Sequence, residues 1–486
     1  MYILQKILAV IVSIILPFMP AASVIDFGDY DSAQATQREY LFDDEKLLLG
    51  AYNYNNAFTD KTHLDYIKDA NLDFLICNVS DALVNYCEEN GIGLIAHGVN
   101  AEGGWIHNYS SNRINSLTKE NFKYADKKCF WGDSVIDEPD ATLYPALNDS
   151  LQHYYSLENK RLPLINLLPN YLSCEQSCIE YKQLTEMQEN IHQTLSITTN
   201  RKIISFLTMN NIDLYNKVAL LHATTDKHLN MYKEYISKYI SEVDTDILCF
   251  DIYPLNQADT ISGAFWLNNL DVLAEACKET GRKLWVITQV DGSTNPDVAS
   301  NRYCDNVEDI RYQIYVSLAF GAKSVIHACY QNGWWDKESD MIDQSGNRTA
   351  SYYAVQQANK EAKAFADIYS GFDYVGTFLK NAYGADGTNS HGFLQMTPDR
   401  KERGCEIKSK DHILAGVFEA KKGNSSAYTF VNMNGKYTGK TATATIKFDK
   451  AKSFTVYQKG VATTFEGNKL MLNLDVEEGV FVTVNK

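Results

Sequence analysis

The chain predicts a (β/α)8 TIM barrel followed by a C-terminal antiparallel β-sandwich, on three observations. Between about residues 46 and 371, short apolar runs alternate with amphipathic helix-like segments eight times, the pattern of a parallel sheet wrapped by helices. No G-x-G-x-x-G follows any of these runs, which weighs against a long doubly wound open sheet, the alternative architecture. From about residue 372 the texture changes to short β-patterned runs separated by Gly, Asn and Lys turns.

The strand candidates are LLLGAYNYN (47–55), FLICNV (74–79), IGLIAHG (92–98), CFWGDSVIDE (129–138), LPLINLLP (162–169), ILCFDIYP (247–254), KLWVITQV (283–290) and SVIHACYQ (324–331). Between them DKTHLDYIKDA, DALVNYCEENG, MYKEYISKYISEV, NLDVLAEACKETG and IRYQIYVSLAFG carry apolar residues at helical spacing, and several end in Gly. Residues 172–228 are too long for one loop and read as a mostly helical insertion over the active face. The sandwich candidates, in residues 372–486, are HILAGVFEA, SAYTFVNM, TATATIKF, SFTVYQ, LMLNL and GVFVTV; all six tryptophans precede them. A structural role therefore suits the sandwich better than sugar binding on tryptophan platforms.

At the N-terminus, Lys6 is the only charged side chain before the apolar run of residues 7–19, and PAASV follows. Residues 1–23 read as a secretory signal peptide, with a retained anchor as the second reading; residues 24–45 read as a polar linker. The expected location is secreted, extracellular or at the cell surface, with no membrane span after signal cleavage. The 486 residues, 45% hydrophobic and 12% aromatic, suffice for one large domain and a smaller one. A net charge of −16 without any Lys/Arg-rich tract argues against a nucleic-acid partner. Of ten cysteines, Cys77, Cys249 and Cys329 fall inside strand runs and read as buried thiols, whereas Cys174 and Cys178 are spaced for a local pair.

In a β/α barrel, chemistry sits where the strands end at their carboxyl side. Those ends carry Tyr52, Asn53 and Tyr54; His97; Asp137 and Glu138; Asn166 and Asn170; Asp251 and Tyr253; Gln289; and His327, Tyr330 and Gln331. Carboxylates, amides and phenols suit a polyhydroxylated ligand, with Trp105, Trp266, Trp334 and Trp335 as stacking faces, although the pair in QNGWWDK also suits loops packed on the barrel. A carbohydrate substrate is the expected partner, and no metal or organic cofactor is implied. Glycoside cleavage needs an acid to protonate the leaving oxygen and a second carboxylate to attack carbon or activate water. Glu138, ending FWGDSVIDEP, is the first candidate, with Asp137 or Trp131 raising its pKa; Asp251 in ILCFDIYPL is the second, and also suits a hydroxyl acceptor or an ion-pair partner; Asp291 is a third. There is no G-x-S-x-G, HExxH or phosphate-cradling loop motif.

On the D-E-P closing the fourth run, the D-I-Y-P of the sixth and the barrel-then-sandwich order, residues 45–370 resemble the clan-A-type (β/α)8 glycoside hydrolases, the group of family 5 and family 42 enzymes. The resemblance implies that Glu138 is the proton donor and returns as base. Two positions depart from it: Asp137 stands where the group has Asn, and Gln289 where it has a nucleophilic Glu. These departures keep open a non-catalytic glycan-binding protein on a hydrolase-like barrel.

Overall fold

A computed structural model of the chain describes residues 34–486 except 55–56, 102–110, 170–225, 256–259, 291, 293–303, 305, 335, 382–403 and 436–438. All eight apolar runs of the first part are strands: β1 Leu48–Tyr52, β2 Phe74–Cys77, β3 Gly93–His97, β4 Phe130–Asp137, β5 Leu162–Leu167, β6 Ile247–Asp251, β7 Lys283–Gln289 and β8 Ser324–Ala328. Each pairs in parallel with the next and β8 pairs with β1, closing the barrel. Helices follow where periodicity places them, and their starts are capped by side chains: Asp60 before Lys61–Asp69, Ser80 before Asp81–Asn90, Asn306 before Val307–Ala319. The helix Asp226–Glu242 begins inside the stretch read as an insertion; residues 172–225 of that stretch lie outside the described residues, as does the whole signal-peptide reading.

The polar-linker reading of residues 24–45 is corrected over its described part. Asp246 accepts hydrogen bonds from the backbone N–H of Gln37 (3.2 Å) and Arg38 (2.9 Å) and from the Tyr40 hydroxyl (3.0 Å), while Arg38 also pairs with Asp244. Anchored there, the segment lays Phe42 across the amino-terminal mouth of the barrel, its ring 4.6 Å from Trp131 and 5.6 Å from Trp285. Phe74 closes the ring at 5.4 and 5.2 Å from the same two indoles. Glycine makes the approach possible: a Cβ on Gly93 would stand 2.3 Å from Trp131, and one on Gly50 2.5 Å from Phe74. Eight of the 22 residues 24–45 are charged, which gives the stretch its polar character; in its described part Tyr40 and Phe42 decide where it packs.

The last helix before the sandwich, Ala366–Tyr369, leads into β9 Phe372–Lys380. A six-stranded antiparallel sheet runs β15 (Val461–Glu466), β14 (Ser453–Gln458), β17 (Gly479–Asn485), β12 (Ser426–Asn432), β11 (Ile413–Ala420), β9; a second of three runs β10 (Cys405–Ser409), β13 (Ala442–Phe448), β16 (Lys469–Leu474). β9, β10 and β15 extend the six runs read from sequence. β15 is exposed along its whole length, so it lacks the buried alternation that marks a strand. Phe418 and Phe481 join the apolar layer outside the barrel, Phe481 stacking on Phe365 at 5.1 Å. The eight described cysteines are buried and form no disulfide among the described residues; Cys174 and Cys178 lie outside the described residues. No described helix is long and apolar enough to cross a membrane.

Candidate active site

Glu138 follows the last residue of β4 and is still held by the sheet: its N–H donates to the Asn166 carbonyl at 2.8 Å. Its backbone then turns left-handed (φ 47°), a conformation that costs a non-glycine residue about 1 to 2 kcal/mol and concentrates at functional sites. Pro139, whose ring fixes the following φ, completes the turn, so the carboxyl is presented by a rigid element rather than a free loop.

Three carboxyl groups meet at this mouth. Asn166, paired in register with Asp137, donates through Nδ2 to Asp137 Oδ1 at 2.8 Å and to Asp251 Oδ1 at 2.6 Å. Two acceptors facing one amide nitrogen fix its orientation and leave Asn166 Oδ1 buried without a hydrogen-bond partner among the described residues. Burial, then the Asp251 charge, then that of Asp137 push the Glu138 carboxyl up to about 8. Burial and Asp137 push Asp251 up to about 6, opposed by hydrogen bonds from Asn166 and Tyr253. At neutral pH Glu138 is thus a protonated acid beside an ionised Asp251, the separation of roles that acid/base chemistry requires. Asp251 and Tyr253, like Asp137 and Glu138, remain partly open to solvent.

One wall is aromatic. Trp334, 39% exposed, lies 5.9 Å from the Tyr52 ring and 5.5 Å from Tyr253. Tyr52 in turn packs 5.0 Å from His97, whose imidazole burial holds down at about 4 and therefore neutral. The expected residues Asp137, Glu138, Asn166, Asp251, Tyr253, His97 and Trp334 are brought together at this end of the barrel. Asn170, Asp291, Trp105 and Trp335 lie outside the described residues.

Five readings are corrected. Gln289 is fully buried, and its amide holds Leu255, accepting from Leu255 N at 3.0 Å and donating to Leu255 O at 3.1 Å; it locks the loop after β6. Tyr330 is 1% exposed and packs edge-on against Tyr54 at 5.6 Å. Asn53 donates to the Asn332 carbonyl at 2.9 Å, tying the β1 end to the loop that carries Trp334. Trp131 lies in the aromatic plug at the far end of β4, so the apolar surroundings of Glu138 come from other residues. Trp266 is likewise buried, at 1% exposure.

Sequence reasoning missed Tyr235. From the helix Asp226–Glu242 its hydroxyl donates to Pro139 O at 3.0 Å and accepts from Leu168 N at 3.3 Å, stapling the turn after Glu138 to the chain after β5. With Tyr232 and Tyr239 it reads as an apolar stripe, and no sequence signal distinguishes its hydroxyl from theirs. Among the described residues no group of three or more His, Cys, Asp or Glu is arranged to hold a metal ion.

No family model matches the sequence and no curated protein matches it. Solved structures similar to this chain include a β-galactosidase from Bacillus circulans sp. alkalophilus (10% identity, covering 91% of this chain and 99% of that one, TM-score 0.43). Others are a GH27 β-L-arabinopyranosidase from Geobacillus stearothermophilus (8%, 91% and 97%, 0.42) and an α-amylase from Geobacillus thermoleovorans (9%, 93% and 100%, 0.39). The structural neighbours are (β/α)8 glycoside hydrolases; the finer likeness to families 5 and 42 stands on the sequence motifs alone.

Proposed function

We propose that the chain is a secreted glycoside hydrolase that cleaves O-glycosidic bonds of an oligo- or polysaccharide. The observation that carries the reading is the pair of carboxyl groups at one barrel mouth with separated proton affinities, Glu138 at about 8 and Asp251 at about 6. Glu138 gives its proton to the glycosidic oxygen as the C–O bond breaks. Asp251 either attacks the anomeric carbon or takes a proton from the attacking water, and the anomer of the first-formed product distinguishes retention from inversion. Asn166 bridges Asp137 and Asp251 and holds Asp251 in place, Tyr253 binds sugar hydroxyls, and Trp334 stacks on a ring face. Secretion is supported by the apolar N-terminal run and the small residues after it.

The test is release of reducing sugar from a glycan panel by the wild type, Glu138→Gln and Asp251→Asn. Turnover by the wild type and its loss in both variants is expected. Gln289, where a nucleophilic glutamate would stand, favours the second reading, a glycan-binding protein without turnover. Binding of a glycan by all three proteins with no product from any of them establishes that reading instead.

A further inference from the structure

At the amino-terminal end of the barrel, beside the sandwich, lies a cavity of about 170 Å³, lined by Glu45, Lys283, Gly321, Lys323, Asp373 and Tyr374 among others. One water needs roughly 10 to 15 Å³ by the same measure, so the space admits a small polyatomic ion with water around it. Most charges at its walls are already engaged. Lys283 and Lys421 both close on the Glu45 carboxylate. Arg282 donates to the carbonyls of Thr245 (2.9 Å) and Ile240 (3.1 Å), and Lys278 pairs with Glu275.

Lys323 differs. Its ammonium makes no hydrogen bond or ion pair among the described residues and lies 5.5 Å over the Tyr369 ring. Asp373, the remaining acid at the wall, is exposed and forms no ion pair with it. Burial, reinforced by Lys421 and Lys283 and opposed by Glu45 and Asp373, holds the Lys323 ammonium down at about 8. A single carboxylate shared by two lysines leaves the third without a counter-charge, and a partly desolvated cation in that position is stabilised by an anion that supplies one.

We infer that this cavity is a binding site for a small oxyanion of the phosphate or sulfate type, held by Lys323 with Lys283 and Lys421. Because barrel residues (Lys283, Lys323) and sandwich residues (Asp373, Tyr374) both border it, with Lys421 paired to the lining Glu45, a bound ion links the two and stabilises the folded chain by mass action. The site is separate from the acidic mouth, so the inference is independent of the proposed reaction.

The test is calorimetric titration and thermal melting of the full chain with inorganic phosphate and with sulfate, against chloride at matched ionic strength. A saturable heat and a saturable rise in Tm are expected with both ions, with binding weaker by about tenfold or more in Lys323→Met. Absence of saturable binding in the wild type overturns the inference, as does unchanged affinity in Lys323→Met. If that variant does not fold, Lys421→Met on the exposed rim replaces it: weakened binding supports the site and unchanged affinity overturns it.

Discussion

The two mouths of the barrel are built from the same eight strands and have opposite chemistry. At the amino-terminal mouth Phe42, Phe74, Trp131 and Trp285 fill the opening with interlocked rings. At the carboxyl-terminal mouth Asp137, Glu138 and Asp251 are crowded together, partly open to solvent, with one amide bridging two of them. β4 carries both, beginning with Trp131 and ending beside Glu138. The contrast teaches that stability and reactivity are separated along a strand: one end is optimised for packing, while the other keeps like charges together at an energetic cost, as functional sites do.

Substitutions break or sharpen that contrast. Glu138→Gln has the largest expected effect, lowering kcat by about 10²- to 10⁴-fold with little change in KM, measured by steady-state kinetics on whichever glycan is turned over. Trp131→Ala at the opposite end is expected to cost about 3 to 5 kcal/mol of folding stability in denaturant titrations, while the protein that remains folded keeps its kcat. Loss of both together would dissolve the distinction between the mouths.

The next effect has the reverse sign. The folded-state pKa of Glu138, about 8, lies above the ordinary glutamate value of 4.5, so the folded chain retains a proton that the unfolded chain loses. Below about pH 4.5 this makes no difference; stability then falls as pH rises towards 8, above which the penalty is complete. Glu138→Gln therefore gains stability at pH 8, on the order of 1 to 2 kcal/mol once screening in the partly open site is allowed for, and nothing at pH 4. Melting curves at the two pH values check this. The smallest effect belongs to Tyr235→Phe, which removes the hydroxyl staple beneath Pro139: a drop of about tenfold in kcat, with KM and Tm nearly unchanged, marks it as a positioning residue.

Much of the fold is readable from the sequence because eight short, mostly apolar runs alternate with amphipathic helical segments, and all eight runs are strands. The carboxyl-end residues followed from strand order, which brought Glu138, Asp137, Asn166 and Asp251 to one place. What escaped depends on partners distant in sequence. Gln289 looks like a ligand-facing amide until Leu255 is seen to occupy both its atoms, and residues 34–45 look like a linker until Asp246 is seen to anchor them. Tyr235 is one of several tyrosines on its helix, and only the position of Pro139 gives its hydroxyl a task.

The central claim is that Glu138 and Asp251 act as acid and base with separated proton affinities, and the most direct test is the pH dependence of kcat/KM. The account predicts a bell with limbs near 6 and near 8, the apparent values belonging to the coupled cluster. Activity is lost at high pH because Glu138 gives up its proton and at low pH because Asp251 gains one. The alkaline limb disappears from the residual activity of Glu138→Gln. A wild-type profile flat from pH 5 to 9, or an alkaline limb that survives in Glu138→Gln, would contradict it.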